Sequence, residues 1–360
     1  MIELKISKNN SLPRLPNYLI TGGGGFIGRA LIRYLLAKDL AGHIRVLDNL
    51  TVGTKKDLAE VCDFKESVLP SLLTPNSSPK KVELVKGDIR DPETCLHSCK
   101  DMDIVVHLAA NTGVPKSVED PRLDMESNVI GTFNMLEGAR KEGIKRFVFA
   151  SSGAPAGEVE PPIHEELPPH PVSPYGASKL AGEGYCSAYY RTFKLETVIL
   201  RFGNVYGPYS GHKTSVVAKF IKQAFEGKPC EIYGDGTQTR DFIYIDDLID
   251  AIYRASTLYS EFSTISPPKS SDSTSSFSIG GETFQIATSR ERTVNELAEL
   301  LKEILKKETG VDMKIIYGNP RLGDVKRNYS DTTKARKLLG WKAKVTLADG
   351  LKRTVQWFVI

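Results

Sequence analysis

The chain lacks the features that would make it a redox, membrane or nucleic-acid protein. Its five cysteines, at 62, 95, 99, 186 and 230, form no CxxC pair and no even framework, which excludes a disulfide scaffold and fits a reducing compartment. Cys95, His97 and Cys99 lie close together, but one such cluster is half of the usual zinc layout. A surface helix after Asp91-Pro92 is the better reading, so no metal is expected. No apolar run approaches the roughly 18 residues of a membrane helix, and the first residues carry no secretory pattern. We therefore expect a cytoplasmic protein with no membrane partner. There is no charge excess either: 48 basic against 44 acidic side chains leave +4, dispersed along the chain, which argues against nucleic acid.

What is present is the balance of a globular enzyme. Hydrophobic residues make up 40% and charged residues 26% of 360, enough for a large α/β unit with a smaller lobe. Apolar runs of strand length at 18–21, 44–47, 82–85, 104–108, 146–151 and 196–201 alternate with amphipathic helical stretches at 26–38, 122–141 and 175–190. Such alternation calls for a doubly wound parallel sheet covered on both faces, because each parallel crossover needs a helix. The stretch 51–81, rich in Lys, Ser and Pro, is a longer excursion. Past Gly207 the pattern changes to isolated helices at 215–226 and 294–307, read as a smaller C-terminal α/β lobe, while 246–256 and 283–288 return to the main sheet. The expected division is 17–205 with 236–289 for the first unit, and 206–235 with 290–357 for the lobe. The polar stretch 267–276, PPKSSDSTSS, reads as a mobile surface insertion with nothing to bury.

Two groups of residues carry chemistry. The strand YLIT runs into Gly22-Gly23-Gly24-Gly25-Phe26-Ile27-Gly28 and then into a helix, the setting in which a glycine loop lets a pyrophosphate approach a helix N-terminus. Asp48 follows Gly28 by 20 residues at the end of the next apolar run, placed to accept hydrogen bonds from ribose hydroxyls. An acid there repels a 2′-phosphate, which favours NAD over NADP. Asp88 either faces the adenine or caps a strand.

The second group is a Tyr-x-x-x-Lys pair. The spacing occurs four times, at Tyr34/Lys38, Tyr175/Lys179, Tyr190/Lys194 and Tyr209/Lys213, so placement must decide. Only Tyr175 starts a helix after Ser173-Pro174 and follows, by 23 residues, the serines that end the strand RFVFASS. That strand end lies at the carboxyl edge where such sheets bind ligands. Lys179, one turn on, would stabilise the Tyr175 phenolate, and Ser152 would hydrogen-bond the same substrate hydroxyl.

With these residues in view, the sequence resembles the NAD-dependent nucleotide-sugar epimerases of the extended short-chain dehydrogenase/reductase superfamily. The resemblance runs from Tyr18 to about Trp357 through TGGGGFIG, LDN, GDIRD, VVHLAA, NVIGT, SPYGASK, RFGNVYGP, GDGTQTRDFIYIDD and PRLGDVKRNYSD. It implies a Rossmann-type domain in which Gly22, Gly25, Phe26, Ile27, Gly28, Asp48, Asn49, Asp88, Ile89, Leu108, Ala109, Ala110, Asn128, Tyr175 and Lys179 hold NAD. It implies a UDP-sugar substrate met by Ser152, Asn204, Val216, Arg240, Arg321, Asp324 and Asn328, with Ser152, Tyr175 and Lys179 catalytic. It also implies a homodimer, since 122–141 and 175–190 carry Val129, Phe133 and Leu136 beyond what one sheet face needs.

The reaction that the resemblance favours is 4-epimerisation of a UDP-hexose. Related dehydratases resemble one another in an acidic pair after the fifth strand's Thr, where this chain has Ser152-Gly153-Ala154. UDP-glucuronate epimerisation, a dehydratase or a reductase stay as alternatives, and a non-catalytic NAD-binding protein is disfavoured because Tyr175 and Lys179 are both kept. Two departures bear on the hexose. Pro155-Ala156-Gly157 replaces the usual Val-Tyr-Gly, and Thr112 stands where galactose epimerases often have Lys. Asn328 occupies the position of a bulky Tyr in glucose-only epimerases, unless Tyr329 swings in instead.

Overall fold

The computed structural model describes residues 14–67, 81–258, 260, 262–263, 278–320 and 325–359. The stretch 267–276 lies outside them. Seven strands in chain order belong to the main sheet: β1 (Asn17–Thr21), β2 (His43–Asp48), β3 (Lys65–Ser67), β4 (Val82–Lys86), β5 (Ile104–His107), β6 (Arg146–Ser152) and β7 (Thr197–Phe202). An eighth, Thr283–Ile286, pairs with β7. The spatial order is Thr283–Ile286, β7, β6, β5, β1, β2, β4, β3, and every pairing is parallel. The doubly wound parallel sheet read from the sequence is therefore present. The excursion 51–81 contributes more than a loop, a short helix Lys55–Ala59 and the edge strand β3.

The central strands are apolar on both faces because helices cover both. In β1, Tyr18 and Ile20 enter one core while Leu19 enters the other, and all three are fully buried. Helices Phe26–Ala37 and Ile245–Thr257 pack together on the first face, joined by the rings of Tyr34 and Tyr253 at 5.7 Å. Helices Pro92–Cys99, Gly131–Lys141 and Pro174–Phe193 bear on the second. Cys95 and Cys99 point into that second core, while His97 is exposed on the far side of its helix. The first core continues through Val217, Phe220, Leu297 and Leu301, on helices Val216–Phe225 and Val294–Thr309.

One helix departs from the expected form. The stretch expected as continuous over 122–141 is a short α-helix, Pro121–Met125, then a π-helical turn, Glu126–Ile130, then the α-helix Gly131–Lys141. Pi turns of this kind are rare and concentrate at functional sites.

β1 lies between β2 and β5, the point at which the order of connection reverses. A crevice opens at the carboxyl ends of strands at such a switch point. Both chemical groups singled out in the sequence lie along that edge.

Candidate active site

At the carboxyl end of β1 the glycine loop meets the chain leaving β5. Gly22 has φ +68°, and a Cβ there would sit 2.8 Å from the Ala109 nitrogen. A Cβ on Gly28 would come within 2.5 Å of the Gly23 Cα, so the helix starts against the loop. Gly25 caps helix Phe26–Ala37 with no side chain, and the first turn has no acidic residue, which leaves the N-terminal N–H groups open to an anion. Asp48, 8% exposed at the end of β2, accepts the Gly24 N–H at 2.9 Å and the Leu50 N–H at 2.8 Å. Desolvation raises its pKa and the two N–H groups oppose that. Each carboxylate oxygen keeps a lone pair for a sugar hydroxyl. Asn49 donates to Asp88, whose pKa falls to about 2, chiefly because Arg90 hydrogen-bonds it. Ile89 is buried against Gly131, and Leu108, Ala109 and Ala110 line the exit of β5 half-exposed. The open helix end, the close glycine packing and the buried acceptor fit a dinucleotide such as NAD.

Beside this cradle stand Ser152 at the end of β6 and Tyr175 and Lys179 on helix Pro174–Phe193. The helix begins there because Ser173 accepts the Gly176 N–H and Pro174 occupies its first turn. The Ser152 hydroxyl lies near that of Tyr175 and favours its ionised form. Burial pushes Tyr175 up to about 12, against the pull of Ser152. Lys179 is 4% exposed, donates to the Ala150 carbonyl at 2.9 Å and lies 4.9 Å from the Phe149 ring centre. Burial pushes it down to about 8, with Asp124 and Glu183 pulling the other way. A phenol one helical turn before a buried ammonium, with a hydroxyl to orient substrate, is equipped to move one proton.

A buried polar network supports these groups. Asn128, in the π turn, pairs its amide with the Asn111 backbone, accepting at 2.8 Å and donating at 2.9 Å. The same amide donates to Asp124 at 2.9 Å and to Ser178 at 3.2 Å. Its side chain thus ties the exit of β5 to helix Pro174–Phe193, at a position the sequence reading assigns to the cofactor site. His107, which burial pushes down to about 3, bridges Thr21 at 2.8 Å and Thr132 at 3.1 Å. Thr132 in turn donates to the Asn128 carbonyl. Sequence reasoning singled out neither Asp124 nor His107 as a functional residue. Their only signal was position inside the motifs VVHLAA and NVIGT or just before them.

Past β7 the structure brings some expected residues together. Asn204 is exposed at the start of strand Asn204–Tyr206, which pairs with Phe242–Tyr244. Val216 begins helix Val216–Phe225. Arg240 donates to the Val325 carbonyl at 2.7 Å, and the Asn328 N–H donates to Thr239 at 3.3 Å, so Arg240 and Asn328 share one loop junction. Arg321 and Asp324 lie outside the described residues. Tyr329 sits under the Arg327 guanidinium, which is bound to Glu160 at 2.5 Å and Glu291 at 2.8 Å. The segment after Ser152 also grips this loop: Ile163 donates to the Tyr329 carbonyl and accepts from Asp331.

Residues 18–264 match the model of the NAD-dependent epimerase/dehydratase family. A putative UDP-glucose 4-epimerase of Methanocaldococcus jannaschii is 37% identical over 94% of this chain and 97% of its own. The crystal structure of a UDP-glucose 4-epimerase from Thermotoga maritima with UDP-glucose is 34% identical, covers 95% of this chain and 98% of its own, and superposes with a TM-score of 0.78. A UDP-N-acetylglucosamine 4-epimerase of Methanobrevibacter ruminantium, in complex with UDP-N-acetylmuramic acid, is 29% identical with a TM-score of 0.77, over 96% of this chain and 99% of its own. Among the described residues no helix is long and apolar enough to cross a membrane.

Proposed function

This chain belongs to the family of NAD-dependent epimerases and dehydratases, and on that premise we propose that it inverts carbon 4 of a UDP-hexose. The observation that carries the reading is the turn after Ser152. Gly153, Ala154, Pro155 and Ala156 follow it, none ionisable, so this turn offers no acid to expel a sugar hydroxyl, as a dehydratase needs. What remains is Ser152, Tyr175 and Lys179. Ser152 orients the 4-hydroxyl, Tyr175 takes its proton, and the Lys179 ammonium stabilises the phenolate before that step. NAD, which the Gly22–Gly28 loop and Asp48 would hold, would supply a reversible hydride acceptor for carbon 4. Once the 4-keto sugar has turned over in the pocket, Tyr175 returns the same proton.

The division into an NAD-binding unit (17–205 with 236–289) and a nucleotide-sugar lobe (206–235 with 290–357) is part of this reading. So is substrate binding by Asn204, Val216, Arg240, Arg321, Asp324 and Asn328. Assembly as a homodimer through helices Pro121–Lys141 and Pro174–Phe193 is supported by Leu123, Met125, Ile130, Phe133, Tyr185 and Phe193, large apolar residues left exposed there. Of the residues expected at that seam, Leu136 is instead fully buried in the core.

The test is incubation with UDP-glucose, UDP-galactose, their N-acetylated forms and UDP-glucuronate, without added cofactor. The 4-epimer of at least one should accumulate to equilibrium. A requirement for stoichiometric reduced cofactor, or a product lacking water, would replace this reading with a reductase or a dehydratase. We expect N-acetylated sugars to be accepted, because Asn328 and Ala156 stand where related enzymes carry tyrosine rings. Asn328→Tyr should overpack an N-acetyl group by about 1–3 kcal/mol and lower kcat/KM for UDP-N-acetylglucosamine roughly 5- to 150-fold more than for UDP-glucose. An unchanged ratio of the two constants removes Asn328 as the selector.

A further inference from the structure

Asp124 closes onto the active site from the short helix Pro121–Met125, is 1% exposed, and packs against the helix that carries Tyr175 and Lys179. Its Oδ1 accepts Asn128 Nδ2 at 2.9 Å, while its Oδ2 is shielded from solvent and has no hydrogen-bond partner. A buried carboxylate oxygen without a donor is costly unless a nearby charge offsets it.

The groups facing the Tyr175–Lys179 couple come from four elements. β6 offers Ser152 and the Ala150 carbonyl, both uncharged. β5 offers His107, held neutral by burial. The couple's own helix offers Glu183 and Cys186, the thiol kept protonated by burial. Glu183 is already matched, since Arg201 binds it through two bonds of 2.9 and 2.7 Å and Ser151 donates to it. Helix Pro121–Met125 offers Asp124, which has no cationic side chain in contact among the described residues. Its charge is met at longer range by Lys179.

We propose that Asp124 is a positioning residue for the Tyr175–Lys179 couple, its buried carboxylate serving as the counter-charge that holds the Lys179 ammonium inside the fold and sets the pH range of catalysis. The inference rests on the epimerase reading for its role in turnover, though not for the electrostatics. Burial raises Asp124's own pKa, while Ser178 and Lys179 draw it back toward the ionised form. The same carboxylate raises both Lys179 and Tyr175. Removing it must lower both together.

The signature follows from that sign. Loss of the charge lowers Tyr175 and Lys179 alike, so both limbs of the rate profile move in the same direction. Asp124→Asn keeps the shape and the acceptor for Asn128 but deletes the charge. Both limbs should slide toward acid by about one pH unit, with the maximum height and thermal stability little changed. Asp124→Glu should keep the wild-type limbs. A residue that only braces the helix would lower the height and leave the limbs in place, and that result overturns the proposal. Titrating Tyr175 in the NAD complex by its tyrosinate absorbance, with Tyr175→Phe subtracted, gives a readout that needs no sugar turnover. Asp124→Asn should shift that titration to lower pH, and an unshifted titration refutes the inference. Should Asp124→Asn not fold, Asp124→Ser removes the same charge and carries the same expectation. If the wild type acts on no UDP-sugar, the epimerase reading fails while the titration still decides the role of Asp124.

Discussion

Tyr175 is one of four tyrosines that precede a lysine by four residues, and its surroundings separate it from the other three. The Tyr34 hydroxyl takes up Lys38 at the helix surface, and that of Tyr209 accepts from Arg33 at 3.0 Å. The Tyr190 ring packs against Gly280 and Gly281, where a Cβ would come within 2.5 and 2.4 Å of it. Only Tyr175 stands beside a strand-end serine and one helical turn before a buried ammonium, on a half-exposed edge. Tyr175→Phe should lower kcat about 10²- to 10⁴-fold while NAD affinity, measured by calorimetry, and Tm stay near wild type. Tyr34→Phe and Tyr190→Phe should retain most activity. A Tyr175→Phe enzyme at wild-type rate would end the assignment. Placement along the chain singles this residue out, because a strand-end serine and a capped helix start are both visible in sequence. Asp124 was not legible in that way. Nothing in the string PRLDMESN distinguishes a solvated aspartate from one with an orphaned oxygen, since burial is a property of the packed chain alone.

β5 carries its chemistry on its last residue. Burial holds His107 neutral down to about pH 3, against the usual 6.5, between Thr21 and Thr132. The unfolded chain therefore binds one more proton than the folded one between those limits. Stability is full above pH 6.5 and is lost as pH falls toward 3. The loss amounts to about 2–3 kcal/mol by pH 4.5, on the scale of 1.36 kcal/mol per unit. His107→Gln, with one acceptor and one donor but no titration, should flatten urea-unfolding stability across that window relative to wild type. An unaltered slope would place the acid sensitivity elsewhere. Along the neighbouring helix the 122–141 periodicity was legible but the π turn was not. One wide turn of five residues is too short to register against the helical periodicity on either side, and it is seen only in the folded backbone. β3 was missed for the opposite reason. Its Lys-Glu-Ser is polar because it is an edge strand, where charge guards against pairing with another chain.

Across the whole molecule, the alternation of apolar runs and helices announced the parallel sheet, and the order of its strands came only with the fold. The exposed rings of Phe133 and Tyr185, 5.5 Å apart, belong to the apolar surface left on the paired helices. Light scattering at micromolar concentration should give a dimer. Phe133→Asp should shift it toward monomer by placing a charge at a self-complementary face. A wild-type monomer would leave that surface without this partner. The outermost strand has a further consequence, for how the chain is made. β7 finds its outer neighbour, Thr283–Ile286, only after helices Val216–Phe225 and Ile245–Thr257 have been synthesised. Until then a row of unpaired backbone groups on a hydrophobic strand faces outward, open to pairing with another nascent chain. The N-terminal portion should therefore not be separable as a stable piece. A chain cut after Thr257 should aggregate when produced alone, and should regain solubility only when the missing segment is supplied to close the sheet.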